Sequence, residues 1–134
     1  MNLNNLYADS GVGVNPLCSG CSILKISKPE HCIVDYEDVK PVDVLFVTES
    51  YVCKTSGSCV PIRRQEKSLI EDIIVPFNVS YAFTPSVKCP SVKDADMTSS
   101  DRDLCREHLY KTVEAYQPKL IFVCGNMAMK MLTK

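Results

Sequence analysis

Three short apolar runs, each followed by a stretch with helical periodicity, dominate the hydrophobic pattern of this chain. The runs are VDVLFVT (residues 42–48), VSYAFT (79–84) and KLIFVCG (119–125). Each is rich in β-branched or aromatic residues and has a proline next to it, which favours a buried strand. Buried strands that alternate with helices predict a parallel sheet covered by helices on both faces.

The segments that follow these runs carry helical patterns. Over residues 63–74 the apolar positions form one stripe, with charges on the other faces: Leu69, Ile70, Ile73 and Ile74. A second helix is predicted over residues 99–116, where Thr98 and Asp101 can form a capping box. On that helix four positions at helical spacing are predicted to face the core: Cys105, Leu109, Val113 and Tyr116. A third helix is predicted directly after the third strand, in NMAMKMLTK.

The length and charge of the chain limit the classes of function. A chain of 134 residues is expected to form one domain. Its formal net charge of -1 gives no global attraction to nucleic acid or to an anionic membrane, so DNA binding would need a local basic patch. No signal peptide and no apolar run of membrane-spanning length is present in the sequence, which predicts a cytoplasmic protein without a membrane partner.

The 8 cysteines are an unusually high number for such a chain. In a reducing compartment they favour metal or cluster binding over disulfides. Cys18 and Cys21 form a C-x-x-C pair that can reach one metal centre, while Cys89 and Cys105 are separated by 15 residues. These four could form a metal site, a disulfide frame or ordinary buried thiols. Cys53 and Cys59 show only a loose C-x5-C spacing. Cys124 lies inside an apolar run and is expected to be a small buried hydrophobe.

The order of these motifs resembles the iron-sulfur uracil-DNA glycosylases of family 4. The resemblance runs from the C-x-x-C pair through VDVLFVTES and TPSVKCP to PKLIFVCGNMAMKML. It covers roughly the first two thirds of that family's domain, so residues 1–16 are interpreted as an N-terminal arm and 17–134 as an incomplete domain. It implies an α/β, three-layer parallel sheet with helices on both faces, truncated at its C-terminal end. It also implies a [4Fe-4S] cluster on Cys18, Cys21, Cys89 and Cys105; zinc on the same four thiolates is the alternative.

The catalytic motifs of that family are altered here. Its Gly-Glu-Ala-Pro-Gly motif corresponds to TESYV, where Glu49 remains as a candidate catalytic residue that could position or activate a water. Its Pro-Phe-x-Gly motif corresponds to PIRR, which has Ile62 in place of the ring that stacks on the base. Its Thr-Asn-x-x-Lys-Cys motif corresponds to TPSVKC, where Pro85 lacks both the side-chain amide and the backbone NH. The histidine loop of the family follows the last matching segment, beyond the end of this sequence.

The sequence therefore predicts a glycosylase-like module without catalytic activity. Its expected role is DNA binding or docking in a replication or repair assembly, for example with a phage DNA polymerase. Four basic residues are predicted to meet the phosphate backbone at the strand ends: Lys54, Arg63, Arg64 and Lys88. Two alternatives are an active glycosylase that a further segment or partner completes, and a zinc-stabilised module for protein interaction.

Overall fold

A four-stranded mixed sheet forms the centre of the fold in the computed structural model, which describes Cys21 and residues 39–53, 59–90 and 92–133. Its strands are β1 (Val44–Cys53), β2 (Cys59–Val60), β3 (Tyr81–Pro90) and β4 (Leu120–Val123). Strand β1 is central: it pairs in parallel with β3 and β4, and its far end pairs antiparallel with β2. The predicted α/β class is confirmed, and the three apolar runs lie in the three parallel strands. The sequence predicted a parallel sheet, but the short antiparallel β2 makes it mixed.

Two strands continue further than the hydrophobic pattern predicts. Strand β1 runs on to Cys53, and β3 passes through Pro85, where the sequence predicted its end, to reach Pro90. Within the described residues β3 pairs only with β1, so it is an edge strand. Proline is tolerated there because one row of backbone NH groups on an edge strand needs no strand partner.

Three α-helices accompany the strands in the described part of the chain: α1 (Arg64–Ile74), α2 (Ser99–Tyr116) and α3 (Asn126–Leu132). The predicted capping box of α2 is present. The Thr98 hydroxyl accepts a hydrogen bond from the backbone NH of Asp101 at 3.1 Å, and the Asp101 carboxylate accepts one from the NH of Thr98 at 3.0 Å. None of these helices has the length and apolar character that a membrane span requires.

The main core lies on the face of the sheet that α2 and α3 cover. Leu45 and Val47 of β1 point to this side and are fully buried. They pack with Leu109 of α2 and with Met127 and Met131 of α3. On α2, all four side chains that were predicted to face inward are part of this core or pack against it: Cys105, Leu109, Val113 and Tyr116. Cys89 of β3 also belongs to the core. Each large apolar side chain buried in this way contributes about 1.5–3 kcal/mol.

The opposite face of the sheet carries a row of aromatic rings. Phe46 stacks on Phe83 of β3, with the ring centroids 5.0 Å apart, and on Phe122 of β4, at 5.3 Å. Helix α1 lies on this side, because the Tyr81 hydroxyl donates a hydrogen bond to the Glu71 carboxylate. Within the described residues this face is only partly covered. Several apolar side chains stay exposed: Leu69 at 67% and Ile73 at 70%, both in the predicted stripe of α1, and Phe122 of β4 at 47%.

Asp43 fastens the starting ends of the parallel strands to one another. Its carboxylate accepts hydrogen bonds from the NH and the hydroxyl of Ser80, at 3.0 and 3.1 Å, just before β3. It also pairs with the Lys119 ammonium at 3.2 Å, just before β4. The Ser80 NH above all, followed by Lys119, lowers the pKa of Asp43 below its ordinary value. With the starts aligned here, the carboxyl ends of β1, β3 and β4 meet at the opposite edge of the sheet.

A disulfide between Cys53 and Cys59 joins β1 to β2. This corrects the sequence expectation, in which Cys53 and Cys59 had only a loose C-x5-C spacing and metal or cluster binding was favoured over disulfides. The two cysteines face each other in the antiparallel register of the hairpin. The sequence pattern missed the bond because β2 has only two residues, too few to show a strand periodicity.

Loss of this disulfide is expected to lower the free energy of unfolding by about 2 kcal/mol, from the entropy of a short closed loop in the unfolded chain. The double variant Cys53→Ser, Cys59→Ser and the wild type should be compared by urea unfolding without reductant. Cys124→Ser is the matched control, because Cys124 is a thiol in the same structure. The disulfide would be contradicted if the wild type and the double variant were equally stable and the unfolded wild type had two more titratable thiols than the double variant.

Candidate functional site

A pocket of about 460 Å³ opens at the carboxyl ends of β1 and β4. Its walls come from the end of β1, the segment after β2, the first turn of α1 and the residues that follow β4. We call it the strand-end pocket and define it by Glu49, Ile62, Arg63, Cys124 and Gly125. Ligand sites of open α/β sheets lie in this position, outside the carboxyl ends of the strands. The pocket therefore joins three sequence-predicted positions, namely Glu49, Ile62 and Arg63.

Glu49 is held at the edge of this pocket by contacts on both sides. Its backbone carbonyl accepts a hydrogen bond from the Ser86 hydroxyl of β3 at 2.9 Å. Its carboxylate lies against Gly125, since a Cβ atom on that glycine would stand 2.1 Å from Oε1 of Glu49. Gly125 also has a φ of +102°, which side chains rarely allow. A glycine after β4 therefore makes room for the carboxylate, and the side chain of Glu49 remains exposed to solvent.

The wall between β2 and α1 is fastened to the sheet by Thr48. The buried Thr48 hydroxyl donates a hydrogen bond to the backbone carbonyl of Pro61 at 2.5 Å. This contact places Ile62, which is 7% exposed, beside the pocket. The wall at this point is therefore aliphatic. In the register of the sheet, Thr48 faces Pro85, which places this proline beside the same pocket.

The first turn of α1 contributes to two pockets at once. Arg63 and Glu66 line the strand-end pocket. Arg64 and Lys67 line a second pocket of about 230 Å³, next to Phe83, which we call the Phe83 pocket. The two pockets share Pro61 and Ile62 as a common wall. Arg63 and Arg64 are exposed at the start of the helix, as the sequence predicted. The amino terminus of a helix adds its own partial positive charge there.

Cys124 has a different position from the one expected. The sequence predicted a buried filler of the core, but the residue is only partly buried and lines the strand-end pocket. Burial, and then the nearby Glu66 carboxylate, raise the pKa of the Cys124 thiol. The thiol therefore stays protonated at neutral pH, where it is a weak nucleophile. The available sequence signal was its place at the carboxyl end of a strand, directly before a glycine.

Lys88 also departs from its predicted position. It is fully buried, and its ammonium donates hydrogen bonds to the Thr84 hydroxyl at 2.6 Å and to the Pro85 carbonyl at 2.8 Å. A phosphate contact requires an accessible ammonium, so Lys88 is removed from the predicted DNA-contacting set. Its sequence neighbours gave no sign of burial, because the prediction ended the strand before this residue. Lys54, another member of that set, lies outside the described residues.

The predicted cluster ligands can be followed for three of the four cysteines. Cys21, Cys89 and Cys105 carry thiols, and all three border the same hydrophobic core. Cys89 is itself buried there, at 7% exposed. Cys89 is near the end of β3, and Cys105 lies on α2. Cys18 is outside the described residues. Among the residues that are described, no three His, Cys, Asp or Glu side chains form a metal-binding group.

Comparisons of the chain with protein-family models, with curated proteins and with solved structures give no match.

Proposed function

We propose that this chain is a DNA-binding module of the uracil-DNA-glycosylase type, with the three-layer fold of that superfamily, that acts in a replication or repair assembly without excising bases. One observation carries the proposal. Glu49 and Ile62, the counterparts of two separate glycosylase motifs, line the same pocket, and Pro85 of the third motif pairs with Thr48 at its edge. Three motif positions that are apart in sequence thus converge at the carboxyl ends of parallel strands.

In this proposal a [4Fe-4S] cluster is held by Cys18, Cys21, Cys89 and Cys105. The donor set suits such a cluster, since thiolates are its usual ligands. Cys21, Cys89 and Cys105 all border the same hydrophobic core. A bound cluster supplies a cross-link between distant segments. The four cysteines would connect the N-terminal region to the end of β3 and to α2, which adds stability to a small domain. Zinc on the same thiolates would provide a similar cross-link.

The composition of the strand-end pocket argues against base excision. An aliphatic Ile62 covers a base less favourably than a ring does. Pro85 offers neither an amide side chain nor a backbone NH for the edge of uracil. A site built to read a base through hydrogen bonds loses orders of magnitude in selectivity without them. Glu49 alone, exposed at the pocket edge, retains only the general-base part of the reaction.

The first turn of α1 provides the local positive charge that DNA binding requires in a chain of net charge -1. Arg63, Arg64 and Lys67 are all exposed and lie beside the two pockets. Arginine and lysine in such a group contact phosphates and thereby release counterions from the DNA. This basic patch, rather than the whole surface, is the proposed phosphate contact.

The protein is expected to bind a fluorescein-labelled DNA duplex, with affinity that falls as the salt concentration rises. Fluorescence anisotropy of protein purified without oxygen should be measured over a series of KCl concentrations. Arg63→Gln and Arg64→Gln should each weaken binding and reduce the slope of log affinity against log salt by about 1. Lys111→Gln is the matched control, because it removes an exposed charge from α2, on the other face of the sheet.

Two outcomes would contradict the proposal. If the protein bound no DNA at low salt, the alternative function of a protein-interaction module would be favoured. Release of uracil from a uracil-containing duplex would instead support an active glycosylase, and loss of that release in Glu49→Gln would assign the reaction to Glu49.

A further inference from the structure

We infer that the Phe83 pocket receives an unpaired base of single-stranded DNA, which stacks on the Phe83 ring while Arg64 and Lys67 contact the adjoining phosphates. This inference rests on the proposed DNA binding and specifies the form of DNA that the chain prefers. The pocket lies on the aromatic face of the sheet, beside the strand-end pocket and separated from it by Pro61 and Ile62.

The Phe83 ring is a rigid platform for stacking. One of its faces is covered by Phe46, whose ring is 5.0 Å away and tilted by 20°. Phe46 is in turn stacked on Phe122 at 15°, so three nearly parallel rings run across β3, β1 and β4. Neighbouring strands keep this row in register. Aromatic rings of this kind stack with any base, since every base presents a π face.

The size of the Phe83 pocket suits a single planar group. Its volume of about 230 Å³ is below the usual range of sites for drug-sized ligands, about 300–1,000 Å³. Besides the ring, its apolar lining comes from Val60, Pro61 and Ile62. A base is flat and largely apolar on its faces, so such a lining suits a base that stacks on the ring. A free phosphate ion would gain nothing from either surface.

The charges at the pocket favour a nucleic acid as its occupant. Lys67 holds its ammonium over the Phe83 ring, 6.0 Å from the centroid, and Arg64 lines the same pocket. A stacked base takes the place of this ammonium, which moves aside to a phosphate. Both side chains are exposed, so they can meet phosphates on either side of a stacked base. Arg63 adds a third positive charge at the wall of the neighbouring pocket, which also holds the Glu49 and Glu66 carboxylates. The basic path for a DNA strand therefore lies on the Phe83 side of the Pro61–Ile62 wall.

Single-stranded DNA is preferred over a duplex for a geometric reason. A paired base is enclosed by its partner and by the stacked bases above and below it, so it cannot enter a pocket without being extruded, which costs free energy. A single strand presents its bases without that cost. Stacking on protein rings together with a charged groove is the usual mode by which proteins hold such strands.

The test compares the binding of two labelled single strands of equal length, oligothymidylate and an oligomer of abasic sugar phosphates, by fluorescence anisotropy. Wild type should bind oligothymidylate more tightly. Phe83→Leu should weaken that binding by about tenfold, the effect of one lost stacking contact, and leave abasic and duplex binding unchanged. Phe83→Tyr keeps the ring and should retain wild-type affinity. Tyr110→Leu is the matched control, since it removes a 43% exposed ring from α2 on the other face.

The outcomes separate this inference from the proposed function. No binding to any DNA would refute the proposed function, and the inference with it. The inference would be overturned, with the proposed function intact, if the protein bound oligothymidylate and the abasic strand with equal affinity. Unchanged binding of oligothymidylate by Phe83→Leu would have the same consequence. If Phe83→Leu does not fold, the wild type alone decides: the inference stands only if oligothymidylate binds more tightly than the abasic strand, since both strands carry the same phosphates.

Discussion

Replacement of Cys105 by alanine is expected to remove nearly all iron and acid-labile sulfide from the protein when it is purified without oxygen. Cys105 is a proposed thiolate ligand on α2, and the loss of one ligand opens the cluster to solvent and to loss of iron. Wild type should contain the iron and sulfide of one [4Fe-4S] cluster per chain. The result is measured as the iron, sulfide and zinc content of the protein and by its visible absorption spectrum. The variant should also lose several kcal/mol of stability, because the cross-link contributes to folding.

Cys124→Ala provides the matched control for this experiment. Cys124 is also a partly buried thiol, but it lines the strand-end pocket and is absent from the proposed ligand set. Its replacement should leave the iron and sulfide content unchanged. Stoichiometric zinc in the wild type, lost in Cys105→Ala, would favour the four-thiolate zinc alternative and weaken the glycosylase reading. Wild-type protein with no metal at all would exclude both sites and remove the main support for the resemblance.

Gly125→Val is expected to lower the free energy of unfolding by about 3 kcal/mol. Gly125 has a φ of +102° and a ψ of 165°, a region that is almost restricted to glycine and least suited to a β-branched residue. The added side chain would also displace the Glu49 carboxylate, which occupies the position of the missing Cβ. Urea unfolding measures the change. Asn126→Val, one residue later at the exposed start of α3, should cost less than about 1 kcal/mol.

A double variant separates the two causes of this destabilisation. Glu49→Ala removes the side chain that the valine would meet but leaves the backbone unchanged. Because the Glu49 side chain is exposed and can swing into solvent, the double variant Glu49→Ala, Gly125→Val should recover only a small part of the loss. Recovery of most of the stability would mean that the steric contact, rather than the φ angle, sets the requirement for glycine. Double-mutant cycles are suited to this question because the two residues are in contact.

The strand-end pocket illustrates how far a motif can predict a site. Glu49 was selected because it stands where the resembled family carries its motif glutamate, and Arg63 because it begins a predicted helix. Both positions are found in the pocket wall. Gly125 was recognised only as the end of an apolar run. Its importance comes from the approach of the Glu49 carboxylate, a contact between residues far apart in the chain. No local pattern encodes such a contact, so sequence reasoning could not identify it.

The exposed stripe of α1 shows a second limit. Leu69 and Ile73 have the spacing of a core-facing helix, yet they are 67% and 70% exposed in the described structure. Periodicity identifies which residues share a helix face, and this part of the prediction depends only on the 3.6-residue repeat. Whether another element covers that face depends on how the helix is placed against the sheet. That placement is decided by contacts such as the hydrogen bond between Tyr81 and Glu71.

The sequence by itself determined the α/β class, the order of the three parallel strands and the helices that follow them, the capping box at Thr98 and the inward face of α2. These features follow from local propensity and from residues a few positions apart. The tertiary structure alone decided the Cys53–Cys59 bond, the burial of Lys88 and the shared wall of the two pockets. The physical reason is the same in each case. Strand pairing and side-chain burial join residues that are distant in the chain, and their free energies appear only when the sheet has formed.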